Sequence, residues 1–584
     1  MHKVNDFLIT LDSYIGGHVW FILLLLGTGV FFTIYLGFPQ VRFFRHSLKV
    51  LAGKYRDKKD VGDTSHFQAL ATVLSGTVGT GNIAGVALAI HLGGPASLFW
   101  MMVTAALGMC TKFVEVSISH KYRDILPDGS VSGGPMYYMK KKLNITTKSG
   151  KVIKTGVFMG GFFAIATILS TFGTGSLPQI NSISNSMFTT FGINHIITGA
   201  VLAVILALII VGGIKRIAAV TSILTPFMAL IYFFGAMVVI FSNIDNIVPS
   251  FLSIFMEAFT PTAASGGFLG ATLAFSINRG VTRGLFSNEA GQGSAPIGFA
   301  STRAKQPVSA GMVAILAPFI DTIIICMLTG LVVLSTGTWN DKAENQFQVT
   351  DMQYVVGAYN DTDADDTKVL ALHIAGHEGE TLPLFTGKLN IIDGVMQNSD
   401  ITLINSRSVA ENVVYSSGKT PFTGELNVSG GKLERVSSIT VTGLSLVHSA
   451  PLTTLAFSKS VLGPFGKYIV AIGLLLFAFS TVIAWSYYGD RAVTYLIGTK
   501  YVPYYRVVYI VAFFLASFTD TTIIWSLSYI TIALMTVPNL IGIFILRKEM
   551  KQNIRDYWAS FTSEFPNDRI SPKMIKRYKI DKNS

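Results

Sequence analysis

Long apolar runs recur along the chain and predict helices that cross a membrane. We count eleven runs that approach the roughly 20 residues needed to span about 30 Å of hydrocarbon. They cover residues 18–38, 67–92, 95–119, 157–180, 195–214, 222–242, 266–290, 308–334, 466–487, 503–519 and 522–546. The pattern predicts an all-α polytopic membrane protein, apart from one stretch, 337–450, that lacks such runs.

Composition indicates the same class. The chain has 584 residues, of which 50% are hydrophobic and only 13% are charged. Its mean hydropathy is +0.51, which excludes an ordinary soluble domain of this size. Cys110 and Cys326 both fall within predicted spans, and their positions indicate neither a disulfide nor a metal site.

Basic residues between the runs predict the orientation. The first run is expected to be a retained span because basic residues follow it rather than precede it, namely Arg42, Arg45, Lys49, Lys54, Arg56, Lys58 and Lys59. Clusters of this kind mark cytoplasmic loops. We therefore expect a multi-pass protein of the plasma (inner) membrane, with the N-terminus and residues 337–450 outside and the C-terminus in the cytoplasm. The net charge of +12 suits anionic lipid rather than nucleic acid.

Residues 337–450 show short apolar and polar alternations between turn residues, which predicts a small β-rich extracytoplasmic domain. It contains 14 acidic and 7 basic residues, a net charge of −7. The expected organisation begins with an extra N-terminal helix and a basic loop (1–65), followed by a first repeat (66–245) and the start of a second repeat (246–336). The insertion (337–450), the rest of the second repeat (451–546) and a basic tail (547–584) follow.

Two of the predicted spans contain glycine and polar residues where their helices would break. The first break is residues 75–82 and the second is residues 275–280. An unwound backbone inside a membrane must line a cavity, because lipid satisfies no free N–H or C=O group. The breaks open two sets of five spans, and because five is odd the sets are inverted relative to each other. Amides and helix N-termini at such breaks suit an anionic group, and carbonyls suit a cation, so we expect a transport site for an amino acid with a small cation.

Other functions were weighed against transport. A receptor or sensor would use residues 337–450 to bind its ligand, but the tail after the last span is short for an output domain. A channel of similar architecture would differ only in flux coupling. An enzyme is not expected, since the sequence has no nucleotide-binding loop of the GxxxxGK[ST] kind, and no cofactor is expected. His373 and His377, with Glu378 and Glu380, are the weak candidate for zinc.

Three motifs resemble the alanine or glycine:cation symporter family. They are residues 76–87, residues 283–296, and residues 477–481 with 485–489, in the expected order. The resemblance covers roughly residues 10–336 and 444–546, and it leaves the insertion aside. It implies a LeuT-type fold and secondary transport of small neutral amino acids, chiefly alanine or glycine, coupled to Na⁺ by alternating access.

Candidate binding residues lie at the breaks and on two other spans. The expected substrate ligands are Thr77, Gly79, Thr80, Gly81, Asn82, Phe172, Gln179, Asn278, Thr481 and Trp485. Thr481 and Trp485 are four residues apart and share one helix face. The resemblance implies that Ser480 and Thr481 bind Na⁺ with the first break near Thr80, and that Trp485 covers the substrate. The alternative for the small residues is close helix packing.

Charged residues within predicted spans are costly and call for a role. Asp321 is expected either to contribute to a cation site or to pair with an arginine, and Glu115 to pair with Lys112 or Arg123. Arg283 and Glu289 are the hypothetical inner gate.

Overall fold

The computed structural model describes residues 11, 14, 15, 18–55, 60–261, 265–375, 381–434, 439–519, 522–566 and 568. Within these residues the protein is mainly helical, and short strands concentrate between Lys342 and Leu446.

The first half of the chain consists of helices joined by short loops and two small hairpins. The helices are α1 (Val19–Leu36), α2 (Pro39–Arg42), α3 (Phe44–Leu51), α4 (His66–Thr77), α5 (Val86–Gly93), α6 (Ala96–Lys121), α7 (Pro135–Lys142), α8 (Thr155–Gly173), α9 (Leu177–Phe191), α10 (His195–Ile210), α11 (Gly213–Ser242) and α12 (Ile244–Met256). The hairpins pair β1 (Asp124–Ile125) with β2 (Val131–Ser132), and β3 (Ile145–Thr146) with β4 (Val152–Ile153).

The second half continues with helices on both sides of the strand-rich segment. They are α13 (Leu273–Asn288), α14 (Ser294–Phe299), α15 (Pro307–Ala314), α16 (Met327–Ser335), α17 (Ala364–Ala375), α18 (Ser449–Ser458), α19 (Gly466–Ile497), α20 (Val502–Ala516), α21 (Thr522–Ile545) and α22 (Arg547–Glu564). Two π-helical segments occur among the described residues, Gly81–Gly85 before α5 and Phe319–Cys326 before α16.

A helix lies within each of the eleven predicted spans, but not all of them are full spans. Among the described residues, seven helices are long and apolar enough to cross a membrane, or up to eight if the bent pair α4 and α5 counts as one span. Helices such as α10 and α20, with 16 and 15 residues, fall short of that length. The prediction of membrane-spanning helices is confirmed, whereas the count of eleven is not reached by length and composition.

The first predicted break is present. Helix α4 begins at a capping box, in which Ser65 Oγ accepts from Gln68 N at 3.2 Å and Gln68 Oε1 accepts from Ser65 N at 3.0 Å. It ends where Val78 turns to an extended conformation at ψ 95°. The chain then resumes in the π-helical segment and α5, with a bend of 56° between the two halves.

The second predicted break, at residues 275–280, is wrong, because α13 continues unbroken from Leu273 to Asn288. Its glycines serve close packing on α6. A Cβ at Gly280 would lie 2.4 Å from Ser97 O, and one at Gly284 would lie 2.1 Å from Thr104 Oγ1. The helix is interrupted later, at residues 289–293, where Glu289 has φ 52° and Gly291 has φ 87°.

The strand-rich segment forms three antiparallel sheets. Its strands are β5 (Lys342–Gln346), β6 (Met352–Val356), β7 (Gly387–Ile392), β8 (Val395–Met396), β9 (Ile401–Asn405), β10 (Ser408–Val409), β11 (Glu411–Ser417), β12 (Thr420–Pro421), β13 (Gly424–Ser429), β14 (Lys432–Leu433) and β15 (Ile439–Leu446). The sheet orders are β10-β9-β6, β12-β11-β15-β5 and β14-β13-β7-β8. In β7, buried Leu389 and Ile391 alternate with exposed Lys388 and Asn390, the period of a half-buried strand.

Helix α22 packs on α3 through aromatic rings. His46 Nε2 and Tyr557 OH lie 2.7 Å apart, and the His46 ring contacts the rings of Trp558 and Phe561, each with centroids 4.8 Å away. Burial, with Lys49 nearby, lowers the pKa of His46 to about 4. The imidazole is therefore neutral in this contact at physiological pH.

Candidate functional site

The break after α4 is the centre of the candidate site. Residues 480–485 of α19 lie beside it, and they supply donors to the carbonyl groups that the break leaves without helical partners. Thr481 Oγ1 donates to Ser75 O at 3.1 Å and is 3.3 Å from Val78 O. Trp485 Nε1 donates to Gly76 O at 3.3 Å. The structure thus brings the predicted Thr481 and Trp485 face onto the first break.

Ser480 joins the same set of oxygens. Its Oγ lies 3.2 Å from Ser75 O and 2.8 Å from Phe477 O, and Ser75 Oγ donates to Ser480 O at 2.7 Å. Gly79 is required here, because a Cβ at that position would lie 2.6 Å from Thr481 Oγ1. Buried hydroxyl and carbonyl oxygens therefore converge between α4 and α19, and these are the ligand types that hard monovalent and divalent cations accept.

Amide side chains hold the N–H groups of the break. Asn82 Oδ1 accepts from Gly79 N at 3.0 Å, and Gln179 Oε1 accepts from Thr80 N at 3.3 Å. The Thr80 hydroxyl is buried and makes no hydrogen bond to any described residue. The structure therefore brings Gly79, Thr80, Asn82 and Gln179 together, as the sequence predicts for a carboxylate site.

The Asn82 amide connects the break to the second half of the chain. Its Nδ2 lies 2.7 Å from Asp321 Oδ1 and 3.2 Å from Ser287 Oγ. The opposite Asp321 oxygen accepts from Ser287 Oγ at 2.8 Å and from Thr322 Oγ1 at 2.7 Å. The predicted pairing of Asp321 with an arginine is wrong for the described residues, because the hydrogen bonds to this carboxyl group come from the neutral side chains of Asn82, Ser287 and Thr322.

Carbonyl groups of the π-helical segment are also bonded by distant side chains. Thr329 Oγ1 donates to Asn82 O at 2.8 Å, and Thr453 Oγ1 donates to Ile83 O at 3.2 Å. Tyr232 OH lies 2.8 Å from Thr329 Oγ1. Together with Ser287, these hydroxyl residues were missed by the sequence reasoning, since a lone Ser, Thr or Tyr in an apolar run carries no spacing signal.

Three predicted substrate ligands make contacts other than those expected. Thr77 Oγ1 bonds Leu74 O of its own helix at 3.3 Å. Gly81 faces the ring of Phe286, which a Cβ would approach to 3.4 Å. The ring of Phe172 packs instead against Tyr505 and Tyr509 of α20, with centroids 6.1 and 5.6 Å away.

Asn278 lies on the continuous part of α13, and its Oδ1 is 3.5 Å from Thr282 Oγ1 within that helix. The residues of α13 that reach the first break are Phe286 and Ser287, more than two turns further along. The prediction that Asn278 faces the first break from a second break is therefore wrong, because the interruption comes after Asn288.

Glu289 is placed at the centre of the site rather than in a gate with Arg283. It is buried, its Oε1 accepts from Trp485 Nε1 at 3.2 Å, and its Oε2 accepts from Ser294 Oγ at 2.6 Å. Among the described residues Arg283 forms no ion pair with it. The left-handed conformation of Glu289 at the end of α13 turns the carboxyl group inward, which a local sequence pattern does not reveal.

Two further ionisable residues near the site, Lys112 and Glu115, lie on α6. Lys112 is fully buried, its Nζ has no hydrogen bond to a described residue, and it interacts through space with Glu289, Glu115 and Asp321. Glu115 Oε2 accepts from Asn539 Nδ2 at 2.8 Å. Of the two predicted partners of Glu115, Lys112 interacts with it through space, and the hydrogen bond to its carboxyl group comes from Asn539 of α21 instead.

The zinc candidate finds no support in the described residues. His373 Nδ1 accepts from Leu382 N at 2.9 Å and its Nε2 lies 3.1 Å from Gln353 Oε1, so both ring nitrogens are engaged. His377, Glu378 and Glu380 lie outside the described residues. Within the described part of the chain, no three His, Cys, Asp or Glu side chains are grouped to hold a metal ion.

Apolar spans around a helix that breaks at a buried polar centre are the arrangement expected of an integral membrane transporter. Residues 1–362 and 436–569 match the profile of the sodium:alanine symporter family. The chain belongs to that family, and it is a cation-coupled amino-acid symporter. The resemblance carried by residues 76–87, by residues 283–296, and by residues 477–481 with 485–489 is thereby confirmed.

Full-length relatives agree with this membership. An uncharacterised transporter of Haemophilus influenzae is 33% identical over 556 residues, which are 95% of this chain and 96% of that protein. The sodium/alanine symporter AgcS of Methanococcus maripaludis is 35% identical over 537 residues, 92% of this chain and 93% of that protein. A manganese transporter of Eremococcus coleocola of known structure has a TM-score of 0.38 and 11% identity, covering 90% of this chain and 95% of that one, too low for an argument about fold.

Proposed function

We propose that this protein is a Na⁺-coupled symporter of small neutral amino acids, alanine or glycine or both, that works by alternating access. The observation that carries the proposal is the position of the Trp485 indole. Its Nε1 lies 3.3 Å from Gly76 O at the break after α4 and 3.2 Å from Glu289 Oε1 at the interruption after α13. The two interrupted segments therefore meet at one side chain, as expected of a transport site.

The proposed architecture is a LeuT-type pair of inverted repeats after one extra helix. The repeats are the second to sixth and the seventh to eleventh predicted spans, so α4 with α5 opens the first repeat and α13 with α14 opens the second. The interruption at residues 289–293 takes the place that the sequence assigned to residues 275–280. Asn82 on one repeat and Ser287 on the other, 3.2 Å apart, join the two near this point.

The proposed Na⁺ site lies between α4 and α19. Ser75 O and Val78 O would coordinate the ion together with Ser480 Oγ and Thr481 Oγ1, whose hydroxyl hydrogens now point to carbonyl oxygens. When a cation arrives, each hydroxyl rotates and presents a lone pair instead. Thr80, whose hydroxyl has no partner among the described residues, completes this end of the site.

The proposed amino-acid site uses the N–H groups of the break. The amides of Gly79 and Thr80 are bonded by Asn82 and Gln179 side-chain oxygens, the positions that a substrate carboxylate would take. The indole of Trp485 lies against Gly175, where a Cβ would be 2.4 Å from Trp485 Cβ. An indole ring packed this tightly would leave room for a substrate side chain the size of a hydrogen atom or a methyl group and would disfavour a longer one.

Binding of the two solutes is coupled because they share one unwound segment. Na⁺ fixes the carbonyls at Ser75 and Val78, which orders the amides of Gly79 and Thr80 for the amino acid. By thermodynamic linkage, the amino acid raises the affinity for Na⁺ by the same factor. We propose no separate inner gate between Arg283 and Glu289; the Trp485 to Glu289 contact closes the two interruptions together.

Uptake of radiolabelled alanine into proteoliposomes tests the proposal, with and without an inward Na⁺ gradient, and with glycine and glutamine as competitors. Thr481→Val should abolish the Na⁺ dependence. Thr494→Val is the matched control, since that hydroxyl on the same helix bonds only Asp490 O of its own turn, at 2.7 Å. Uptake that ignores the Na⁺ gradient would overturn Na⁺ coupling, and a Na⁺ current that continues without amino acid would favour a channel.

A further inference from the structure

The turn between β9 and β10, residues 406 and 407, joins the insertion (337–450) to the helices of the membrane part through hydrogen bonds. Ser406 Oγ lies 2.7 Å from His91 Nε2 near the end of α5, and Arg407 O accepts from Leu269 N at 3.1 Å just before α13. Residues 363–435, which include this turn, lie outside the match to the family profile. Whatever the turn contributes is therefore particular to chains that carry such an insertion.

Arg407 and Arg279 meet at one aromatic ring. The guanidinium carbon of Arg407 lies 4.1 Å from the centroid of the Phe275 ring, and that of Arg279 lies 4.6 Å from the same centroid. The two carbons are therefore no more than about 9 Å apart. One small anion can contact two guanidinium groups at this separation, because each N–H group reaches an acceptor at about 2.8 Å.

Neither guanidinium group has a counter-ion among the described residues. Arg407 is only 2% exposed, its Nη1 reaches Gly270 O at 3.3 Å, and its Nη2 has no partner among the described residues. Arg279 Nε is likewise buried without a partner there. Burial, and next the charge of Arg279, lowers the pKa of Arg407 to about 9.

A buried and a half-buried guanidinium group placed together without an anion are costly to the folded state. Cation–π contact with Phe275 offsets a part of that cost but leaves Arg407 Nη2 and Arg279 Nε without a hydrogen-bond partner among the described residues. We propose that Arg279 and Arg407 form a binding site for a small anion, a halide or a carboxylate, at the junction of the insertion with α13. Eight residues separate Arg279 from Ser287, about 12 Å along the helix, so this site is distinct from the centre at Asn82.

The test is thermal unfolding of the purified full-length protein in detergent, at constant Na⁺. Sodium gluconate, whose anion is large, is replaced stepwise by sodium chloride or by sodium acetate. A ligand that binds only the folded state raises the unfolding midpoint in a saturable way. We expect a saturating rise in the millimolar range, and its absence in Arg407→Gln. Lys419→Gln, which removes an exposed charge from the same insertion, should retain the full rise.

The two probes identify the source of the anion, since a rise with chloride alone assigns a halide and a rise with acetate assigns a carboxylate. Arg279→Gln provides a second variant if Arg407→Gln does not fold, and it should also lose the rise. Equal midpoints in gluconate, chloride and acetate for the unchanged protein would overturn the site. A linear, non-saturating shift, or a rise that survives in both arginine variants, would overturn it too. No transport is measured, so the result is independent of the proposed symport.

Discussion

Trp485→Phe removes the indole N–H that joins the two interruptions and keeps an aromatic ring in their place. Trp485 is fully buried and Nε1 is the donor to both Gly76 O and Glu289 Oε1. A benzene ring fills most of the indole volume, so the main loss is the hydrogen bonding. In this variant the Glu289 carboxyl group keeps its hydrogen bond from Ser294, so only one of its two oxygens loses a donor.

The magnitude follows from the two contacts. A hydrogen bond to a charged group contributes about 1.5–3 kcal/mol and a neutral one about 1 kcal/mol. The donor is shared and both distances exceed 3 Å, so we take the lower part of the range, about 2 kcal/mol in total. Because about 1.4 kcal/mol corresponds to a factor of ten, we expect the ratio kcat/KM for alanine uptake to fall roughly 30-fold.

The assay is initial-rate uptake in proteoliposomes at matched protein content, with thermal unfolding measured in parallel. Trp100→Phe is the control, because Trp100 Nε1 also donates to a backbone carbonyl, Ala258 O, at 3.0 Å, and the residue packs beside Gly280 of α13. Trp100→Phe should keep uptake within about twofold, a change well below 1 kcal/mol. Equal uptake by the two variants would refute the argument that the shared N–H connects the interruptions.

Asn82→Ala should lower alanine uptake at least about tenfold, because it frees Gly79 N and two acceptors at Asp321 and Ser287. Asn181→Ala, which loses bonds to the carbonyls of Ala516 and Thr519 and to the side chain of Asn185, should not lower it, and equal uptake by the two variants would contradict the central role of Asn82. Gly280→Ala should lower the unfolding midpoint by an amount corresponding to about 1–3 kcal/mol, because the added methyl group clashes with Ser97 O. Gly161→Ala is the control and should leave the midpoint unchanged, since a Cβ there has nothing within 4 Å. An unchanged midpoint for Gly280→Ala would show that α13 can move away from α6. Burial lowers the folded-state pKa of His46 to about 4, so as the pH falls the unfolded state takes up a proton before the folded state does. The contribution of His46 to stability is therefore fully present above about pH 6.5 and is lost as the pH falls toward 4. Proteolysis of α22 should increase over that pH window, and His46→Gln should make this increase smaller.

Much of the membrane architecture follows from the sequence because a bilayer imposes it. Apolar runs of sufficient length must become helices whose backbone groups are internally bonded. Glycines and hydroxyl residues at 75–82 predicted the first break correctly, and the four-residue spacing of Thr481 and Trp485 placed both on the face that meets it. In the segment 337–450, strands lie where apolar and polar residues alternate, as in β7.

The second break could not be located in the same way. Gly280 and Gly284 are small residues in an apolar run, as in the first break, but here the absence of a side chain lets Ser97 and Thr104 of α6 pack closely against α13. A helix that packs closely and a helix that unwinds both require small residues, and only the neighbouring helix distinguishes them. The interruption instead follows Asn288, where the turn depends on Glu289 adopting a left-handed conformation.

The partners of the buried charges were likewise decided by the tertiary structure. The sequence determined that Glu115 and Asp321 lie among apolar residues and therefore need partners, whereas the burial of Glu289 appears only in the folded chain. The partners of these three groups are Asn539, Asn82 and Trp485, each more than 190 residues away along the chain. Hydropathy depends on each residue and its close neighbours, so the sequence by itself determined the spans, the first break and its facing helix. Which distant donor meets each buried carboxyl group depends on how the helices pack, and only the folded chain decided that.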